Sequence, residues 1–180
     1  MTQLPDNEAK DEWCVRGEAF EADFLKRCQR EWGLPVQAHP DKVKGDKYAT
    51  DLWMKQCDID LKAPRTPFFT AAQYGYDPTH TVTLNHKDYI RYSFKYPEWS
   101  RRLMVILFWV EWPEQDAYGA YVPAVSGLWS LRLPTLDEWI RCNRIRCHTY
   151  QQRNETTGTN GRYSWLIDLR QCNFHPRMRW

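Results

Sequence analysis

Within the stretch from residue 51 to residue 62, three acids and one lysine have the types and spacing needed to act on a phosphodiester. In Cys57-Asp58-Ile59-Asp60-Leu61-Lys62, polar and apolar residues alternate. An extended strand would put Asp58, Asp60 and Lys62 on one face and Ile59 and Leu61 on the other. Asp51 lies nine residues before Asp60, and a hairpin reversing at Lys55-Gln56 would bring both carboxylates to one sheet edge, although Lys-Gln is poor chemistry for a tight primed turn. Two convergent carboxylates can hold Mg²⁺, which takes oxygen ligands and leaves positions for water and phosphate. A nearby lysine adds three donors that orient the attacking water or counter charge as it develops. The plain alternative for Asp58, Asp60 and Lys62 is a solvated strand face with cross-strand ion pairs.

Asp51, eight intervening residues and then Asp60-Leu61-Lys62 resemble the bipartite signature of the PD-(D/E)XK nuclease superfamily, with Thr50 where the family commonly has proline. The resemblance covers about residues 17 to 112. It implies an α/β, restriction endonuclease-like core: a helix, a three-stranded meander, a second helix and a further strand, giving a central mixed β-sheet flanked by helices. It also implies Mg²⁺-dependent hydrolysis of DNA, with Mn²⁺ as a substitute, and a possible homodimer. The helix of that family often supplies a glutamate, and Gly17 to Phe24 resembles it, with Glu21 preferred to Glu18. The implied catalytic set is Asp51, Asp60, Lys62 and Glu21, with Asp51, Asp60 and Glu21 on the metal. A departure is that Phe94 to Leu103 leaves room only for a short helix around Pro97 to Arg102; the second helix would otherwise be displaced to Leu136 to Arg153.

The elements that must position these residues read as follows. Trp13, Phe20, Phe24, Leu25, Cys28 and Trp32 fit helical spacing over Glu12 to Trp32, with Gly33 as the stop. Leu34 to Lys47 reads as a surface connection. Strands are expected at Tyr48 to Met54, Cys57 to Ala63, Thr81 to Asn85, Tyr89 to Phe94, Leu103 to Trp112, Tyr118 to Val125, Leu128 to Leu133 and Arg162 to Leu169. Leu103 to Trp112 is apolar almost throughout, as in a strand buried on both faces. Asn85 to Asp88 reads as a hairpin turn. Thr135 and Glu138 have the spacing of a capping box for a helix from Leu136 to Arg153, and Asn154 to Gly161 reads as a loop.

The 180 residues, 42% hydrophobic and 15% aromatic, are enough for one nuclease-like domain over residues 1 to 180. Neither a signal peptide nor a membrane span is expected, because the apolar run Leu103 to Trp112 is about half the length of a spanning helix. Six irregularly spaced cysteines suggest reduced thiols in a cytoplasm rather than a disulfide framework. The net charge of +2 conceals an asymmetry: residues 1 to 40 hold five Lys/Arg against eight Asp/Glu, whereas residues 141 to 180 hold eight Arg against Glu155 and Asp168. An arginine-rich region over about 135 to 180 would meet a polyanion. The candidate DNA contacts are Arg65, Arg141, Arg144, Arg153, Arg162 and Arg170, with Trp53, Trp99, Trp129 or Trp180 available to stack on bases. Two other functions compete. One is an inert DNA- or protein-binding module of the same fold; the other is an interaction protein stabilised by zinc on Cys142, Cys147 or His148, Cys172 and His175.

Overall fold

The computed structural model describes residues 10–46, 48–97, 102–149 and 163–178. Helix α1 (Lys10–Trp32) lays Phe24, Cys28 and Trp32, one turn apart, onto the sheet. It ends where Gly33 turns left-handed at φ 67° and donates its N–H back to the Gln29 carbonyl at 3.0 Å. Strand β1 (Gln37–Ala38) and the single turn α2 (Pro40–Val43) follow, in the stretch expected to be only a connection.

Strands β2 (Leu52–Met54) and β3 (Cys57–Lys62) form the anticipated hairpin. Its tight turn forms because Lys55 accepts a φ of 54°, a conformation that usually falls to glycine or asparagine. β1 pairs antiparallel with β2, which completes a three-stranded meander. After two short 3₁₀ turns and β4 (Thr81–Asn85), α3 (His86–Lys95) carries the chain back, and β5 (Leu103–Trp112) runs parallel to β3. The order helix, meander, helix, parallel strand is the one the family resemblance implies. The crossover helix is α3, which ends before residue 97, and not Leu136 to Arg153; of the expected Pro97 to Arg102 helix, residues 98–101 lie outside the described residues.

The sheet continues through β8 (Val125–Arg132) to β11 (Asn173–His175), both antiparallel to their neighbours, and has the order β1-β2-β3-β5-β8-β11. Between them, β6 (Gln115–Ala117) and β7 (Ala120–Val122) make a small hairpin. Tyr118, expected to begin a strand, forms its turn with Gly119; both have positive φ. Helix α4 (Leu133–Arg141) precedes β9 (Cys147–Thr149) and β10 (Tyr163–Asp168), which join β4 in a second sheet of order β4-β10-β9.

Three other expectations are corrected. Residues 89–94 are helical, because Tyr89, Tyr92 and Tyr96 fall at steps of three and four and point into one core. Asn85 to Asp88 is therefore the start of α3 and not a hairpin turn; Asn85 uses its side chain to accept from Ser164 Oγ at 3.1 Å instead of capping. Helix α4 begins two residues before Thr135, with Arg132 at the cap position and Pro134 in the first turn, where its missing N–H costs nothing. It stops far short of Arg153: Asn143 takes φ 53° and Arg144 donates its N–H to the Trp139 carbonyl at 2.8 Å, a Schellman ending.

Both faces of the main sheet are covered, so the arrangement is a mixed α/β sheet flanked by helices. On the α1 face Leu52, Ile59, Leu61, Leu107, Trp109 and Leu128 pack against Phe24, Cys28 and Trp32. On the other, Met104, Ile106, Phe108 and Leu131 meet Tyr92, Leu136, Trp139 and the second sheet. Full burial of each such side chain contributes on the order of 2 kcal/mol, which is what holds β3 between the two layers. No helix among the described residues is long and apolar enough to cross a membrane.

Candidate active site

Strand β3 alternates as its sequence implies: Ile59 and Leu61 enter the α1 core, and Asp58, Asp60 and Lys62 face the α3 side. That side is not open to solvent at the two aspartates, which are 1% and 3% exposed. The polar face of β3 is instead matched, residue by residue, by polar groups from α3 and its flanks.

Asp58 is fully engaged. The Tyr96 hydroxyl donates to it at 2.8 Å and Arg102 lies 3.2 Å away. His39, itself 1% exposed, accepts the Asp41 N–H on Nδ1 at 3.2 Å and sets Nε2 3.5 Å from Asp58. With Nδ1 accepting, a neutral ring carries its proton on Nε2. Asp58 thus ties α2, the end of α3 and β3 together.

Asp60 and Lys62 form a second cluster with α3. The Lys62 ammonium lies 2.8 Å from Asp60 and 2.7 Å from Asp88; Arg91 is 3.2 Å from Asp88 and 3.8 Å from Asp60. Desolvation alone would lower the lysine's pKa, but the Asp60 and Asp88 carboxylates outweigh it and hold the ammonium well above the usual lysine range. Burial, and then Asp60, push the Tyr92 hydroxyl far up, so it stays protonated. The buried Oδ2 of Asp60 is the oxygen that faces the Lys62 ammonium.

Asp51 and Glu21 meet at the Lys42 ammonium. Asp51 immediately precedes β2, one step beyond the Leu52–Ile59 pair and hence across from Asp60. The N–H of Leu61, past the paired part of the ladder, donates to Asp51 Oδ2 at 2.9 Å. This bond seats the Asp51 carboxylate on the backbone between Asp60 and Lys62. Its Oδ1 lies 2.6 Å from the Lys42 ammonium, which is also 2.6 Å from Glu21 Oε2. Burial, and then the Asp51 charge, raise the Glu21 carboxyl above its ordinary range even with Lys42 in place. Burial works against Lys42, but its bonds to Asp51 and Glu21 prevail and raise its pKa.

Glu21, the preferred helix acid, is therefore brought to Asp51, and Asp60 to Lys62; the two pairs flank Leu61. Glu18 is exposed. Four residues of this arrangement were missed. Lys42 sits in a stretch read as a connection; Arg91 and Tyr92 lie on the part of α3 read as a strand, and Asp88 in its first turn, read as a hairpin turn. The i, i+3 spacing of Asp88 with Arg91 and of Tyr89 with Tyr92 was the available signal.

Four carboxylates here face three cations, Lys42, Lys62 and Arg91. Among the described residues no three His, Cys, Asp or Glu side chains already form a metal cage. The donor set nevertheless suits Mg²⁺: that ion is commonly held by only one or two carboxylates with waters completing its shell. Glu21 and Asp51 converge on a cation position, held here by Lys42, and Asp60 Oδ2 is paired with the Lys62 ammonium.

The arginine candidates are dispersed. Arg65 is exposed, its guanidinium 3.7 Å from the Phe20 ring centroid. Arg170 forks onto Asp168, with a nearest contact of 2.7 Å, and reaches Asp77 at 3.4 Å. Arg144 is 3.8 Å from Glu138, and Arg141 is exposed at the end of α4. Arg153 and Arg162 lie outside the described residues, as do Trp99 and Trp180. Zinc ligands are not assembled either. His175 Nε2 is 2.8 Å from Ser130 Oγ and His148 Nδ1 is 2.7 Å from the Tyr74 hydroxyl. Cys142 and Cys147 are exposed free thiols.

No protein-family model matches the chain, and no curated protein matches its sequence. Among solved structures the chain is similar to D212, a nuclease from a fusselovirus, at 14% identity and a TM-score of 0.41, covering 97% of this chain and 90% of that one. So loose a superposition carries no functional argument, and the site itself must supply it.

Proposed function

We propose that this chain is a Mg²⁺-dependent nuclease of the PD-(D/E)XK type that hydrolyses phosphodiester bonds in DNA, Mn²⁺ being able to replace Mg²⁺. One observation carries the reading: the 2.9 Å bond from Leu61 N–H to Asp51, which ties that carboxylate to the backbone of the strand that bears Asp60 and Lys62 while its other oxygen shares the Lys42 ammonium with Glu21. Glu21, Asp51 and Asp60 are the residues that would hold the metal. When bound, it would supply positive charge for the phosphate and acidify a water.

The protein's own groups divide the remaining work. Lys62 is an ammonium at neutral pH, so it cannot take a proton from water; it donates to phosphate oxygens as charge develops there. Asp88 and Arg91 fix its direction from α3. Incubation with plasmid, linear and branched DNA, in Mg²⁺ and separately in EDTA, tests the reading. Cleavage in Mg²⁺ alone is expected, and its absence on every form of DNA overturns the proposal.

A second reading has a specific observation behind it. Each acid of the site already has an internal cation, Lys42, Lys62 or Arg91, as suits a DNA-binding module that has given up catalysis. Binding in EDTA without cleavage in Mg²⁺ or Mn²⁺ would establish it.

A further inference from the structure

A groove runs beside the acids on the α1 side of the sheet, and we propose that it seats one unpaired nucleobase of the nucleic-acid substrate. This inference rests on the nuclease reading. The groove encloses about 320 Å³, within the range of sites that take small organic molecules. Phe20, Asp23 and Arg27 line it from one strip of α1; Arg65 enters from the turn after β3; Trp109 and Glu111 come from the face of β5 turned toward α1. Its wall residues Phe20 and Ala63 are the chain neighbours of Glu21 and Lys62.

Three features favour a planar, uncharged ligand. The exposed Arg65 guanidinium lies on the Phe20 ring, and no ion pair joins it to a carboxylate among the described residues. It offers a flat, charged surface on which a base can stack. The Arg27 guanidinium likewise lies 4.8 Å from the ring centroid of Trp109, a second cation–aromatic pair in the groove wall. Finally, the walls balance two guanidinium groups against two carboxylates, and Arg27 is already bonded to Glu111 at 2.7 Å. A phosphate gains nothing net from that lining, whereas a base has both donor and acceptor edges to present to it.

The test uses the full chain in EDTA and a duplex carrying one unpaired 2-aminopurine, compared with the same duplex carrying an abasic residue there and with a fully paired duplex. The parent should bind the 2-aminopurine duplex about tenfold more tightly than the abasic one, with quenching of the base's fluorescence. Phe20→Ala and, separately, Arg65→Ala should bring the two to parity while circular dichroism shows the fold retained; Arg65 is exposed, so that variant stays informative even if Phe20→Ala unfolds. Equal binding of the unpaired and abasic duplexes by a parent that still binds or cleaves DNA overturns the groove alone. A preference that survives in the folded variants places the base elsewhere and also overturns it. A parent that neither binds nor cleaves any DNA overturns the groove and the nuclease reading together.

Discussion

Lys62 and Lys42 are both cations between two acids, yet their positions assign them opposite roles. Lys62 shares a strand face with Asp60 and is backed by Asp88, and its charge is secured by both. Lys62→Ala should therefore lose cleavage by a factor of about 100 or more, as when one charge-stabilising donor is removed, while most DNA affinity remains. Single-turnover cleavage and anisotropy measured on the same protein check this, and unchanged cleavage by a folded variant would refute it. Lys42 stands where the Glu21 and Asp51 oxygens converge, so on the proposed reading a divalent ion would displace it. In EDTA, Lys42→Met should lower stability by on the order of 2 kcal/mol, because two partly buried carboxylates lose their shared counter-ion. In Mg²⁺ the variant should gain more in melting temperature than the parent does, since its site has no resident competitor. Equal metal-induced shifts in the two proteins would show that Lys42 does not occupy the metal's place.

At the scale of elements, the β2–β3 hairpin aligns Asp51 across from Asp60, and its turn is closed by Lys55 at φ 54°. A left-handed lysine costs about 1–2 kcal/mol, partly offset by the greater freedom that glycine has in the unfolded chain. Lys55→Gly should raise stability by up to about 1 kcal/mol in denaturant titrations, and a loss would mean that the lysine side chain compensates its strain. The hairpin, β4 and β5 were legible in the sequence because Ile59 and Leu61 alternate with charges and Leu103 to Trp112 is apolar on both faces. Helix α3 was not, because a ten-residue helix whose buried positions are tyrosines carries almost the same β-prone composition as a strand. Reading α3 as a hairpin turn followed by a strand hid Asp88, Arg91 and Tyr92. Lys42 was invisible for another reason: it reaches the acids only because α2 turns on a capping histidine, His39, and nothing in residues 34–47 signals a contact to Glu21. The acids themselves could be picked out by spacing, whereas the cations that answer them come from elements whose placement depends on tertiary packing.

At the scale of the molecule, the main sheet is sealed on both faces and the acids collect at β3, so the folding free energy supplied by the two cores holds charges together that would separate in the unfolded chain. Glu21 records that tension. Burial and Asp51 raise its carboxyl above the ordinary 4.5 despite Lys42. The folded protein consequently binds this proton more tightly than the unfolded chain does. As pH rises from the ordinary glutamate value, the unfolded chain releases its proton first, stability falls, and the loss is complete once the pH passes the raised folded value. Glu21→Gln cannot ionise and removes this contribution. In EDTA the variant should be at least as stable as the parent at neutral pH, and its melting temperature should decline less between about pH 4 and about pH 8. In Mg²⁺ the order should reverse, because the variant has lost one of the charges that would hold the ion and its metal-induced stabilisation should shrink with it. Melting curves across that pH range, with EDTA and with Mg²⁺, separate a carboxylate kept for function from one kept for the fold: a Glu21→Gln protein that is less stable in EDTA at neutral pH and fully responsive to Mg²⁺ would assign Glu21 to the fold and remove it from the metal site.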